Sequence, residues 1–264
     1  MMKNENIPGI SEYPSWKALV LPDKQVIDPF LKKFPPGISD LTFTNLFCHQ
    51  VARGYMISAH KKHLLFRFGN KQPNFLYQPV GPHPKEVILE LLHQHPEYKF
   101  ILVNGELGKL LATAAKVTFD RGMSDYICKL QDLQQFNGEK YQEKRNFVRR
   151  FLSYGPKIVP LNESHRNECK ALLKIWKAGK DPLPHLDDEQ LAAEVMLNNL
   201  QSLNVHGIGI IIDGRVEGFA IGEPINREYF VEHFEKGNTQ FMGIYPYILH
   251  EFAKSIPTKF TFLN

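Results

Sequence analysis

The run VHGIGIIIDGRVEGFAIGEPI, from Val205 to Ile225, constrains the fold more than any other stretch. Two apolar, β-branched segments flank Asp213-Gly214, a dipeptide that suits the positive φ angles of a two-residue hairpin turn. Two adjacent antiparallel strands are therefore expected, and REYFVEHFEKG (Arg227 to Gly237) predicts a third beside them. Helical patterns bracket these strands. ESHRNECKALLKIWKAG and LDDEQLAAEVMLNNLQSL precede them, and GIYPYILHEFAKSI follows, with Pro246 acceptable in its first turn. KIVPLN and a final TKFTFL add two more strands. This order defines an α/β (α+β) chain with a mixed sheet.

The first half has a similar grammar without repeating the sequence. VIDPFLKKF is a helix stopped by Pro35-Pro36-Gly37, and Ser39-Asp40 is expected to cap a second helix, LTFTNLFCHQVA. YMISAH, HLLFRFG and NFLYQPVG read as strands, KEVILELLHQH as a helix, YKFILVN as a buried strand and ELGKLLATAA as a helix. KVTFDRG and DYICKL read as strands around a turn at Gly122. Residues 1–24, broken by Pro8, Pro14 and Pro22, form an irregular arm. The expected boundaries are 25–137 for a first domain, 138–154 for a linking helix and 155–264 for a second domain.

Composition excludes more than it selects. A chain of 264 residues can bury one large core or two small ones, and a net charge of +4 steers nothing unless it is concentrated. Cys48, Cys128 and Cys169 are odd in number and far apart, which offers neither a disulfide framework nor a thiolate zinc site and favours a reducing, cytoplasmic setting. No apolar run approaches the roughly 18 residues of a membrane helix. HExxH, GxSxG and a complete Walker loop are all missing. The pairs His60/His63 and His93/His95 lack a second ligand pair, so no metal is expected. Asp120-Arg121 and Asp125-Tyr126 read as turn-capping and surface ion-pairing residues.

Two segments carry chemistry. Regular alternation along REYFVEHFEKG places His233 and Glu235 in the same space, where either can accept a proton from an attacking amine or hydroxyl. The helix start that follows can hold a phosphate or carboxylate. The second segment is NGEKYQEKRNFVRRF, which gathers Lys140, Lys144, Arg145, Arg149 and Arg150. On a helical wheel Tyr141, Phe147, Val148, Phe151 and Leu152 form an apolar arc with Lys144 inside it, whereas Arg149 and Arg150 read as solvated. A lysine aimed at the core needs a carboxylate, water or a bound anion.

Between these strand and helix patterns, Gln240 and Gly243 half-match the Q/R-x-x-G-x-G/A loop of GNAT acyltransferases, in which backbone wraps a CoA pyrophosphate. Tyr245 replaces its last small residue, which argues against tight CoA binding, and no cofactor is expected. SDLTFTNLF, DRGMSDYICKLQDLQQFNGEKYQEKRNFVRRF and IDGRVEGFAIGE, in that order, resemble the phosphatidylglycerol lysyltransferase C-terminal domain-like family. The resemblance implies two tandem GNAT-like domains joined by the basic helix. It implies transfer of an activated acyl group from a phosphate-bearing donor, such as aminoacyl-tRNA, to an amine or hydroxyl acceptor, a phospholipid among them. Peripheral contact with anionic lipid at the inner membrane goes with it. The triplet Lys144, Arg145, Asn146 falls in the family's linking-helix motif, and His233, Glu235 and Asn238 fall in its strand before the donor loop. With Arg149, Gln240 and Gly243 these are the expected donor- or lipid-phosphate contacts. Family members continue beyond the equivalent of FLN, so the second domain is expected to be truncated. The alternative is a non-catalytic, degenerate module of the same fold that binds an anionic ligand.

Overall fold

The computed structural model describes residues 7–69, 72–181 and 183–264. The chain folds as two compact units, Met1–Asp125 and Tyr126–Asn264, each a mixed α/β layer structure.

In the first unit the elements run β1 (Lys17–Ala18), α1 (Lys24–Lys33), α2 (Phe43–Cys48), α3 (Gln50–Arg53), β2 (Met56–His60), β3 (His63–Arg67), β4 (Phe75–Tyr77), α4 (Pro84–Gln94), β5 (Lys99–Ile101) and α5 (Gly105–Leu111). The sheet order is β1-β2-β3-β4-β5, antiparallel except where α4 carries the chain across to a parallel β5. Leu64, Leu65 and Phe66 of β3 are fully buried, as a central strand covered on both faces requires. The cap of α2 is Thr42, whose Oγ1 accepts from the Asn45 amide at 3.1 Å, rather than Ser39-Asp40. Ser39 instead donates its hydroxyl to Asp125 at 2.7 Å. KVTFDRG is not a strand. No sheet edge is offered to it, Val117 and Phe119 stand in solvent, and Asp120 closes a short turn onto the Gly122 amide at 2.9 Å. Strand propensity expresses itself only where a partner strand is available.

The second unit runs β6 (Cys128–Lys129), α6 (Leu130–Gln135), α7 (Gln142–Phe151), β7 (Lys157–Pro160), α8 (Arg166–Ala178), α9 (Pro184–Asn198), α10 (Leu200–Leu203), β8 (His206–Ile212), β9 (Arg215–Pro224), β10 (Tyr229–Gly237), α11 (Ile244–Ser255) and β11 (Phe262–Leu263). Its sheet order is β6-β11-β10-β9-β8-β7, with only β10 and β11 parallel. The β8–β9 hairpin turns at Asp213 and Gly214 with φ of 50° and 79°, as the dipeptide predicted. DYICKL contributes only β6, which pairs with β11 in this second sheet. The short α6 follows it directly, a helix too brief for its two buried leucines to announce. The basic helix α7 lies wholly within this unit.

Glycine sets how closely α11 can lie on the sheet. A Cβ on Gly218 would stand 2.7 Å from Ile248 Cδ1, and one on Gly237 would stand 3.0 Å from Ile244 Cγ2. The core beneath them joins Phe151, Ile210, Ala220, Phe230, Ile248 and Phe252. α8 and α9 cover the opposite face. At Gly222 a Cβ would fall 2.1 Å from the Val231 carbonyl oxygen of the neighbouring strand. Gly222→Ala is expected to cost on the order of 2 kcal/mol or more and to lower the Tm in calorimetry. Gly105→Ala, with open space around it, should leave the Tm unchanged or slightly raised.

Candidate functional site

One irregularity in β10 decides what its side chains can do. Its pairing with β9 runs Phe230↔Pro224, Val231↔Glu223 and Glu232↔Gly222, then resumes at Phe234↔Ile221 and Glu235↔Ala220. His233 is the extra residue of a β-bulge. Paired residues share a face of the sheet. Phe230, Glu232, Glu235 and Gly237 therefore face α11, and Val231, His233, Phe234 and Lys236 face α8 and α9. Regular alternation predicted His233 and Glu235 in the same space. The bulge sends them to opposite faces and brings Glu232 beside Glu235.

The two carboxyl groups lie close enough on this face for each to oppose or assist the other's ionisation. Burial, and then the neighbouring Glu235 charge, drive the Glu232 carboxyl far above the ordinary carboxylate range. Its Oε1 is enclosed without a hydrogen-bond partner. Burial also raises Glu235, to about 7, against the pull of Lys236, Lys144 and the hydrogen bond from Glu232. Glu232 and Glu235 are half-buried as whole residues. Lys144 is half-buried on α7 with its charge favouring the ionised form of Glu235.

The other expected site residues separate into distinct surroundings. His233 Nε2 lies 3.0 Å from Glu223 Oε1, in a pair whose side chains are 4% and 13% exposed. Asn238 is buried and builds the loop before α11: its amide donates to Glu217 Oε2 at 2.8 Å, and its Oδ1 accepts from the Gln240 backbone at 3.1 Å. Gln240 itself is exposed. Gly243 has φ of 91°, and a Cβ there would stand 2.6 Å from the Phe147 carbonyl oxygen, so the start of α11 is pressed against α7. That close approach by itself demands glycine. Arg145 donates to the carbonyls of Phe136 and Gly138, the latter at 2.7 Å, and so closes the end of α6. Asn146 and Arg149 are exposed. Leu152, assigned to the apolar arc, lies beyond α7 in a tighter turn and is half exposed.

Sequence reasoning missed a second cluster on the opposite face. Lys236 is buried, ion-paired with Glu189 and held 4.1 Å above the Trp176 ring. Tyr245 is half-buried at the start of α11, and burial raises its phenol pKa. Glu232 was missed too, because nothing in FVEHFE reveals a bulge. Two carboxylates three apart in an apolar strand were the only signal. His63 is buried, with Nε2 2.5 Å from the Pro82 carbonyl. Among the described residues no three His, Cys, Asp or Glu side chains gather in a way that would hold a metal.

The sequence matches the family described as "Phosphatidylglycerol lysyltransferase, C-terminal" over residues 32–264, and the chain belongs to it. In structure it is similar to a conserved protein of unknown function from Bacteroides thetaiotaomicron VPI-5482, at 28% identity and a TM-score of 0.84, over 94% of this chain and 88% of that one. It also resembles L-PGS from Bacillus licheniformis, at 16% identity and a TM-score of 0.59, over 97% of this chain and 79% of that one, a likeness of fold. No curated protein matches the sequence.

Two outcomes test this geometry. Arg145→Ala should destabilise the chain by about 1–2 kcal/mol in urea melts, because two carbonyls lose a charged donor. For Glu235 the folded pKa lies above the unfolded value of 4.5. The neutral pair therefore stabilises the fold fully below that value, and this contribution is lost as pH rises through about 7. Glu235→Gln, which cannot ionise, should raise the Tm by several degrees at pH 8 and by little at pH 4.5.

Proposed function

We propose that the second unit transfers an activated aminoacyl or acyl group from a phosphate-bearing donor, such as aminoacyl-tRNA, to an amine or hydroxyl acceptor, with an anionic phospholipid the favoured class. The observation that carries this reading is a carboxyl held near neutrality, Glu235, beside a second carboxyl and an ammonium. The match to a phosphatidylglycerol lysyltransferase family supplies the reaction class.

The acceptor hydroxyl or amine attacks the ester carbonyl, and its proton passes to the Glu235 carboxylate as the new bond to carbonyl carbon forms. The tetrahedral intermediate then collapses. The ester C–O bond to the donor breaks, and the proton on Glu235 goes to the leaving oxygen. A base whose pKa lies near the working pH is suited to both transfers. Lys144 keeps Glu235 ionisable in its buried setting and offers charge to a donor or lipid phosphate. His233, paired with Glu223 on the other face, is left out of this scheme. Lys144, with Arg149 at the exposed end of the same helix, is the phosphate contact we retain. Among the described residues no helix is long and apolar enough to cross a membrane.

Two geometric facts favour the second reading, a non-catalytic module binding an anionic ligand. Gly243 is used in packing against Phe147, and Arg145 is used in closing α6. The experiment incubates the chain with labelled aminoacyl-tRNA and phosphatidylglycerol vesicles and follows label into the lipid extract. The expected result is lipid product whose rate rises with pH through about neutrality. It should fall by about 100-fold or more in Glu235→Gln, a general-base loss. Lys144→Met should move the rising limb to higher pH, because the charge that favours ionised Glu235 is gone. Transfer at an unchanged rate by Glu235→Gln, or no product with any donor while anionic vesicles still bind, would sink the catalytic reading.

A further inference from the structure

We propose that the first unit carries a binding site for a small oxyanion, a carboxylate or phosphate group, at Arg67 beside the Trp16, Tyr13 and Tyr98 rings. The site is built wholly from first-unit residues and is independent of the proposed transfer.

Arg67 ends β3, on the sheet face that α4 covers. Leu65, two residues before it and so on the same face, packs there with Val87 and Leu91. Tyr13, Trp16 and Tyr98 pack against the same cluster. The Arg67 guanidinium lies over the Trp16 ring, with its Cζ 4.5 Å from the centroid. Trp16 meets Tyr13 edge-on with centroids 6.0 Å apart, and the Tyr13 and Tyr98 hydroxyls are 3.3 Å from each other. The four side chains are thus joined contact by contact.

What this cluster lacks is an anion. Among the described residues three arginines are half-buried, Arg67, Arg145 and Arg166. Arg145 donates to the Phe136 and Gly138 carbonyls, and Arg166 donates to the Leu197 carbonyl with Glu163 alongside. Arg67 alone has no acceptor for its side chain, and its Nε is enclosed without a hydrogen-bond partner. Burial lowers its pKa, and the titratable groups that oppose this are two phenols, Tyr98 and Tyr13, not carboxylates. The acidic side chains around the cluster are already matched. Glu90 pairs with Lys61 at 2.5 Å, and Glu97 lies 3.4 Å from His95. A guanidinium withdrawn from water without a counter-charge costs stability, which a bound anion would offset. Stacked on an indole, it keeps its N–H edge free, and that planar fork fits two oxygens of a carboxylate or phosphate. The phenol hydroxyls can donate to the same group.

The test is NMR of the whole chain labelled with nitrogen-15. The Arg67 Nε–H and Trp16 indole signals are followed while phosphate, acetate or benzoate is added, with ionic strength held constant by chloride. Saturable shifts of both signals are expected with an oxyanion and not with chloride. Saturation by phosphate alone assigns a phosphate ligand, and saturation by acetate and benzoate alone assigns a carboxylate. Arg67→Lys keeps the charge and loses the fork. Followed at the Trp16 indole, it should bind at least about 10-fold more weakly, as losing a charged hydrogen bond implies. Arg67→Met should abolish binding, and if that chain does not fold, Arg67→Lys decides alone. Signals that never saturate with any of the three anions overturn the proposal, as does an Arg67→Lys chain that binds as tightly as the parent. Either result is the mark of an arginine that merely pins Trp16 to the sheet. None of these readouts needs transfer activity, so their failure leaves the proposed function untouched.

Discussion

The placing of Glu232 and Glu235 side by side on one face of the sheet is the constraint on which the reading of this protein turns. Two carboxyls enclosed on the α11 face of a sheet cannot both ionise at ordinary carboxylate pKa values, because burial and mutual repulsion oppose it. They exist there because β10 carries one extra residue. Without the bulge, Glu235 would lie with Lys236's neighbours on the α8 and α9 side, away from Glu232. The same bulge places Lys236 against Trp176 and Glu189, so one inserted residue exchanges the faces that Glu235 and Lys236 would otherwise take.

The helix α7 does two jobs that pull in different directions. Phe151 is fully buried beneath α11, and the Phe147 carbonyl lies so near Gly243 that no side chain fits between them. This packing fixes the helix against the loop and so fixes Lys144 relative to Glu235. Two of the segment's five basic residues serve the fold instead. Lys140 pairs with Asp132 at 2.8 Å, and Arg145 closes α6. The charge of this basic run left available for a ligand is that of Lys144 and the exposed arginines at the helix end.

What the sequence revealed and what it concealed follow from the range of each signal. The β8–β9 hairpin and the long helices α8, α9 and α11 were legible because turn chemistry and apolar periodicity are local. The place of Lys144 was legible for the same reason, since a wheel needs only the helix itself. The bulge was not, because register depends on which strand lies alongside, and Ile221 and Gly222 are more than ten positions away in sequence. Nor could pattern show that KVTFDRG would find no partner edge, or that Gly243 answers to Phe147. The family motifs located the segments that matter but could not say which side chain in them faces which.

The most direct test of the central claim is a carboxyl-carbon NMR titration of the chain labelled at glutamate, with Glu232→Gln and Glu235→Gln used to assign the pair. The account predicts one glutamate titrating at about 7 and a second raised well above the ordinary carboxylate range. If every glutamate carboxyl is ionised by pH 5.5, about one unit above the ordinary value, the raised pair does not exist and the site must be sought elsewhere.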